Sequence, residues 1–272
     1  MKETFNIKEL IDSADCVLIG AGAGLSTAAG INYGGEEFRN NFGDFIKKYN
    51  FTDLYTSSFY DFDSQEEFWA YWAKHIDFAN TGRNAEKLYK NIFEAVKNKD
   101  YFVVTTNVDD QFYKAGFNPE KIFRVQGSYA LNQCAKACHN KLYPNKELVD
   151  EMLKNIDSDL KVPSKLVPVC PKCGENMEPN LRKDGYFVED DLWHKQNDSY
   201  GDFLEKNKDK KLLLLEFGVG FNTPGIIRFP FEQMVSKNPN WTLVRFNKET
   251  QCFYDIDDRF IPVKEDLNEI FK

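Results

Sequence analysis

The chain has 272 residues, a formal charge of -8 and a pI near 5.1, and its basic residues are scattered rather than clustered. That length suits one large domain, or one domain with a smaller insertion, and the charge pattern argues against a nucleic-acid groove or an anionic membrane surface. Met1-Lys2-Glu3-Thr4-Phe5-Asn6 lacks a secretory apolar region and no apolar run reaches a membrane-spanning length of about 18 residues, so the expectation is a cytoplasmic protein with no membrane partner.

Val17-Leu18-Ile19-Gly20-Ala21-Gly22-Ala23-Gly24-Leu25-Ser26 reads as a short apolar strand entering a glycine turn, with Thr27-Ala28-Ala29 as the predicted helix start. Glycine lets a phosphate approach the backbone, and helix-opening amides favour negative charge, so the pattern predicts a bound nucleotide. The spacing from Gly20 is G-x-G-x-G rather than the dehydrogenase G-x-G-x-x-G, and no acidic strand end follows at the expected distance. A left-handed turn with a close helix-strand contact and no ligand would leave the same glycines.

Residues 36–98 are rich in aromatics at helical spacing, among them Phe59, Tyr60, Phe62, Phe68, Trp69, Tyr71 and Trp72, and predict a packed helical subdomain, with a wall of a substrate pocket as the alternative reading for some of the rings. Tyr101 to Thr105 is a second buried strand, running into Thr106-Asn107-Val108-Asp109. Ile122 to Val125 is a third, ending in Gln126-Gly127-Ser128. Residues 129–184 look loop-rich and interrupt the alternation of strands and helices, as an inserted module would. Strand signals resume at Tyr186-Phe187-Val188, at Lys211 to Phe217 before Gly218-Val219-Gly220, and at Trp241 to Phe246 before Asn247. Continuous apolar strands alternating with helices predict an α/β fold with a parallel sheet, whose carboxyl ends would gather Gly22, Asn107, Gln126, Gly218 and Asn247 into one crevice.

Four of the six cysteines fall into two close pairs, Cys134-x3-Cys138 and Cys170-x2-Cys173. Two such turns can supply the four-sulfur shell of a structural zinc, and a disulfide is the competing pairing. His139 follows Cys138 and could replace a sulfur, while Cys16 and Cys252 read as buried apolar positions.

Together these pieces resemble the sirtuins: Gly22-Ala23-Gly24-Leu25-Ser26 followed by Ala29-Gly30-Ile31, Thr105-Thr106-Asn107-Val108-Asp109, Gly127 with the residue before it, four cysteines, Gly218-Val219-Gly220 and Asn247. Most sirtuins carry His-Gly where this chain has Gln126-Gly127, and Pro-Asp-Phe-Arg where it has Asn32-Tyr33-Gly34-Gly35. With Gln126-Gly127-Ser128-Tyr129, Cys134-x3-Cys138-His139 and Gly218 to Pro224, those departures resemble the macrodomain-linked, class M sirtuins of microbes.

The resemblance implies a Rossmann-like NAD-binding domain from 1–35, 99–128 and 185–272, a helical part from 36–98 and a zinc-binding module from 129–184. It implies NAD consumed as substrate, a structural zinc on Cys134, Cys138, Cys170 and Cys173, and transfer of ADP-ribose to a protein. The implied acceptor is a lipoyl-carrying, glycine-cleavage H-like protein, with a macrodomain hydrolase reversing the modification. Implied cofactor-binding residues are Gly22, Ala23, Gly24, Ser26, Asn32, Tyr33, Thr106, Asn107, Asp109, Gln126, Gly218, Val219, Gly220 and Asn247, with Asn107, Asp109 and Gln126 catalytic. Arg39 lies near the missing phosphate-binding arginine.

In sirtuin deacylation a histidine acts as general base after the acyl oxygen has attacked C1′ of the nicotinamide ribose. Gln126 has no proton-accepting form near neutral pH, and loss of a general base typically costs roughly 10²–10⁴-fold. Cleavage of the glycosidic bond survives that loss, because nicotinamide leaves with its positive charge neutralised. Other readings stay open on the sequence. Asn107 and Asp109 can cap a helix, Gln126 can be a satisfied polar residue, Asn247 can be a turn residue, and the chain can be an NAD-dependent deacylase or a non-catalytic NAD sensor.

Overall fold

The computed structural model describes residues 6–272, so the leader expectation, resting on the first residues, lies almost wholly outside them. The strands in chain order are β1 (Cys16–Ala21), β2 (Asp100–Thr105), β3 (Ile122–Arg124), β4 (Gly127–Cys134), β5 (Tyr143–Pro144), β6 (Met177–Leu181), β7 (Leu212–Phe217), β8 (Trp241–Phe246) and β9 (Phe260–Val263). Six of them form one parallel sheet in the order β3-β2-β1-β7-β8-β9. This is the doubly wound, Rossmann-like order, whose direction of winding reverses between β1 and β7. Ala21 pairs with both Thr105 and Phe217, and Phe217 with Phe246, so the strands finish level and their following loops share one edge.

Burial on both faces explains the continuous apolar runs. Val17, Ile19, Leu213, Leu215 and Val244 pack on one side with Leu88, Ile92 and Val96 of the helix Lys87–Val96. Cys16, Leu18, Leu212, Leu214 and Leu243 pack on the other with Phe203 of Asp191–Lys206 and Phe231 of Arg228–Lys237. Two charged residues in these strands are fully buried. Glu216 and Arg245 are cross-strand partners with no exposure, joined in a bidentate pair of 2.7 and 2.9 Å. Such a pair is tolerated in the interior only when both charges are fully matched.

A second core holds the smaller lobe. The helices Gly35–Tyr49 and Gln65–Ile76, the latter capped by Ser64, bury Phe38, Phe42, Phe45, Trp69 and Tyr71. Val149 and Met152 of Lys146–Lys154, with Cys134 and Cys170, complete the same core, so the helical segment and the cysteine module are packed as one body.

Three expectations need correction. The helix after β1 is Ala23–Ala28, which begins within the glycine turn and ends where the sequence placed its start. The cysteine module is built on an antiparallel sheet, β5-β4-β6, rather than on loops alone. Tyr186-Phe187-Val188 is not a strand: it is held by side chains of that sheet, with Gln133 Oε1 accepting from Val188 N at 2.9 Å and Asn180 Nδ2 donating to Val188 O at 3.1 Å.

Candidate active site

The turns after β1 and β7 meet backbone to backbone. Gly24 N donates to Gly218 O at 2.9 Å, and Gly22 N to Phe217 O at 3.0 Å. A Cβ on Gly24 would fall 2.7 Å from Gly218 Cα, and one on Gly22 would fall 2.9 Å from Gly218 O. Gly218 itself has φ 58, the left-handed region, and its added Cβ would lie 2.4 Å from the carbonyl carbon of Gly24. Close contact between two turns therefore requires these glycines whether or not a ligand is bound. Ala23 and Gly24 nevertheless stay exposed at the sheet edge, alongside half-buried Thr106 and exposed Gly220.

Behind that edge lies a buried polar cluster. Asn107 Nδ2 donates to Gly22 O at 3.0 Å, Ser26 Oγ at 3.1 Å and Tyr89 OH at 3.2 Å. Its donor end thus braces the glycine turn, and its Oδ1 makes no hydrogen bond among the described residues. Ser26 Oγ donates to Asp109 Oδ2 at 2.5 Å, and Gln111 N donates to Asp109 Oδ1 at 3.1 Å. Burial drives the Asp109 carboxyl up to about 6 against those two hydrogen bonds, so it is ionised at neutral pH but close to taking a proton. Tyr89 was not foreseen, because on its helix it reads simply as one more core aromatic.

Gln126 sits half-buried in the turn between β3 and β4, and β3 stops at Arg124, one residue before the strand end that the sequence placed at Val125. Its carbonyl accepts from Arg182 N at 3.2 Å, while its side-chain amide makes no hydrogen bond among the described residues. Arg182 lies beside it, its guanidinium 4.3 Å from the Phe187 ring centre and paired with Glu189. No motif pointed to Arg182, since only the β4–β6 pairing brings it next to Gln126.

Tyr33 faces the same cluster. Burial and the charge of Asp109 hold its hydroxyl protonated, well above the ordinary phenol range. Asn32 and Tyr33 also line an open cavity of about 850 Å³, with Thr27, Glu37, Asn40 and Asp53. That cavity does not extend to Asn107, Asp109 or Gln126. Arg39 is exposed on the helix Gly35–Tyr49. On the far side of β7, Asn247 Nδ2 donates to Val219 O at 2.8 Å, joining the turns after β7 and β8.

The four module cysteines converge with all sulfurs within 4.8 Å of one another. Cys134 to Cys173 and Cys138 to Cys170 are both 3.6 Å, too long for a disulfide and close to the edge of about 3.8 Å that a tetrahedron with Zn–S bonds near 2.3 Å would have. The donor set fits structural zinc. Burial opposes ionisation of Cys170, but backbone amides of Cys173 and Lys172 outweigh it and bring that thiol to about 6. His139 does not take a sulfur's place in the cluster: its Nδ1 lies 3.0 Å from Cys138 Sγ and its Nε2 2.9 Å from Tyr143 OH, bracing Cys138 from outside. Cys16 is buried as expected, and Cys252 is half-buried.

A doubly wound sheet with paired glycine turns at its reversal point, joined to a four-cysteine module, is a Rossmann-like architecture carrying a candidate metal site. Residues 22–205 match the Sir2 family model, and the chain belongs to the Sir2 family. It is 36% identical over 271 residues to a Staphylococcus aureus protein named protein ADP-ribosyltransferase, an alignment covering 99% of this chain and 86% of that one. It is 34% identical over 241 residues to a probable bifunctional ADP-ribose hydrolase/ADP-ribosyltransferase of Fusarium oxysporum f. sp. cubense, covering 85% of this chain and 40% of the relative. A Sir2 homologue mutant solved with ADP ribose superposes with a TM-score of 0.61 at 16% identity, over 100% of this chain and 94% of the other, and shares the fold. No helix among the described residues is long and apolar enough to cross a membrane.

Proposed function

We propose that this protein transfers ADP-ribose from NAD to an acceptor protein and releases nicotinamide. The acceptor nucleophile forms a bond to C1′ of the nicotinamide ribose as the C1′–N bond breaks. The bonding pair leaves with nicotinamide, neutralising its positive ring, and the nucleophile's proton passes to water. The enzyme's task is then to orient NAD and stabilise an oxocarbenium-like sugar. The turns at Gly22 to Ser26 and Gly218 to Gly220, with Thr106, Asn32, Tyr33 and Asn247, are assigned to NAD. Asn107 acts through its free Oδ1 on a ribose hydroxyl, Asp109 supplies negative charge behind the sugar, and the unpartnered amide of Gln126 hydrogen-bonds the ribose.

One observation carries the choice of transfer over deacylation: none of the three histidines of the chain stands at the β3–β4 turn. His75 is fully buried against Trp72 at 4.9 Å, and burial lowers it to about 3, too acidic to accept a proton at neutral pH. His139 belongs to the cysteine module, and His194 to the helix Asp191–Lys206. With Gln126 in the turn, no histidine stands where the acyl-transfer half of the sirtuin cycle takes its base. The relatives named above support the same reading, and a lipoylated glycine-cleavage H-like protein is the proposed acceptor.

Incubation with labelled NAD and that acceptor, with and without lipoate, tests the proposal. Label on the protein with stoichiometric nicotinamide is expected, and Gln126→Ala should lower nicotinamide release by about 10²-fold. O-acyl-ADP-ribose from acylated peptides, with no label on protein, would refute it in favour of deacylation. Tight NAD binding without nicotinamide release would refute it in favour of a sensor.

A further inference from the structure

Asp110 follows Asp109 but adopts a backbone of its own, with φ 57 and ψ 21. That left-handed conformation is unfavourable for a residue with a Cβ, and short polar side chains are among the few that enter it. Here it directs the carboxylate into three donors. Oδ1 accepts from Arg124 Nη1 at 2.8 Å; Oδ2 accepts from Ser128 Oγ at 2.6 Å and Asn80 Nδ2 at 3.0 Å. The ion pair is mostly buried, and Arg124 also lies 4.8 Å over the Tyr113 ring.

The placement of these donors is informative. Arg124 ends β3 and Ser128 is the second residue of β4, so Asp110 grips the chain two residues before and two residues after Gln126. Gln126 has no side-chain hydrogen bond of its own, so its amide points where its backbone points. That backbone is already confined, because Gly127 has φ 93 and an added Cβ there would lie 2.0 Å from Asn180 O. Asn80 brings the helical segment into the same grip, and Lys114 Nζ secures it by donating to Asn80 O at 2.7 Å.

We propose that Asp110 is the positioning residue for Gln126: its three-donor carboxylate holds the β3–β4 turn in the geometry that aims the Gln126 amide at the ribose. The proposal rests on the role given to Gln126 above. Asp110 acts through another residue, so it governs the rate of C1′ cleavage and leaves NAD binding nearly untouched.

Nicotinamide release from NAD reads that step whichever nucleophile arrives. Asp110→Ala should lower kcat about 10- to 100-fold, the scale of a misplaced catalytic group, with KM for NAD changed less than about 3-fold. In a Gln126→Ala background the same substitution should cost less than about 3-fold more, because the group it positions is gone. Should Asp110→Ala fail to fold, Ser128→Ala, which removes one donor and keeps the ion pair, carries the test with a smaller fall in kcat, equally suppressed in the Gln126→Ala background. Equal losses with and without Gln126, or a rise in KM matching the fall in kcat, would overturn the proposal. Asp110→Ala at full rate while Gln126→Ala is impaired overturns the positioning alone. Gln126→Ala at full rate overturns the role of Gln126 and the positioning with it.

Discussion

Asp109→Asn probes the electrostatics of the site with almost no change in shape. Burial holds the Asp109 carboxyl at about 6 instead of 3.8. A raised carboxyl pKa means that the folded chain binds the proton more tightly than the unfolded one, so this group's contribution to stability falls as pH rises from about 4 to about 6. Above that window the ionised form costs about 3 kcal/mol relative to the protonated one. An asparagine keeps the acceptor for Gln111 N and presents a donor to Ser26 Oγ, whose own proton can turn to Tyr89 OH, 2.8 Å away. The variant should therefore gain about 2 kcal/mol over the natural protein between about pH 4.5 and about pH 8. Urea unfolding at both pH values measures that difference, and nicotinamide release should fall by about 10²-fold. A stability difference that is the same at both pH values would refute the claim that the carboxylate is held in a site that penalises its charge.

Three other outcomes follow from the geometry. Arg228 donates to Val219 O at 3.2 Å, Glu249 O at 3.0 Å and Gln251 O at 2.8 Å, tying together the loops after β7 and β8, so Arg228→Lys should raise KM for NAD about 10-fold with kcat nearly unchanged in steady-state assays. Gly218→Ala combines a left-handed φ with a 2.4 Å overlap on Gly24 and should destabilise the fold by about 3 kcal/mol or more, read by urea unfolding. Elemental analysis should find one zinc per chain; Cys170→Ser should lose it and lower the thermal midpoint, and a metal-free protein with unchanged near-ultraviolet dichroism would contradict a structural zinc.

Much of the fold was legible because its strands are locally distinctive. β1, β2, β7 and β8 are largely apolar runs followed by glycine or asparagine, the pattern that burial on both faces favours. The antiparallel sheet of the cysteine module was not legible, because β4 carries polar residues inward. Gln133, with no exposure, is satisfied by Asn180 Nδ2 at 2.7 Å and by Val188 N, partners 47 and 55 residues away. Tyr89, Arg182 and Asp110 escaped for the same reason, since nothing in their local sequence names their partners.

The sequence by itself determined the parallel sheet, the two close cysteine pairs that could hold a metal and the glutamine that follows the third strand. Those depend on periodicity, short spacing and side-chain chemistry, all of which act within a few residues. The tertiary structure alone decided that the crevice glycines serve one another across 194 residues of chain, counted from Gly24 to Gly218. It alone showed Asn107 keeping only its acceptor free, Asp109 losing its solvent, and Asp110 holding the turn of Gln126. Burial and hydrogen-bond partnership are set by which distant segments meet, and that is a property of the packed chain.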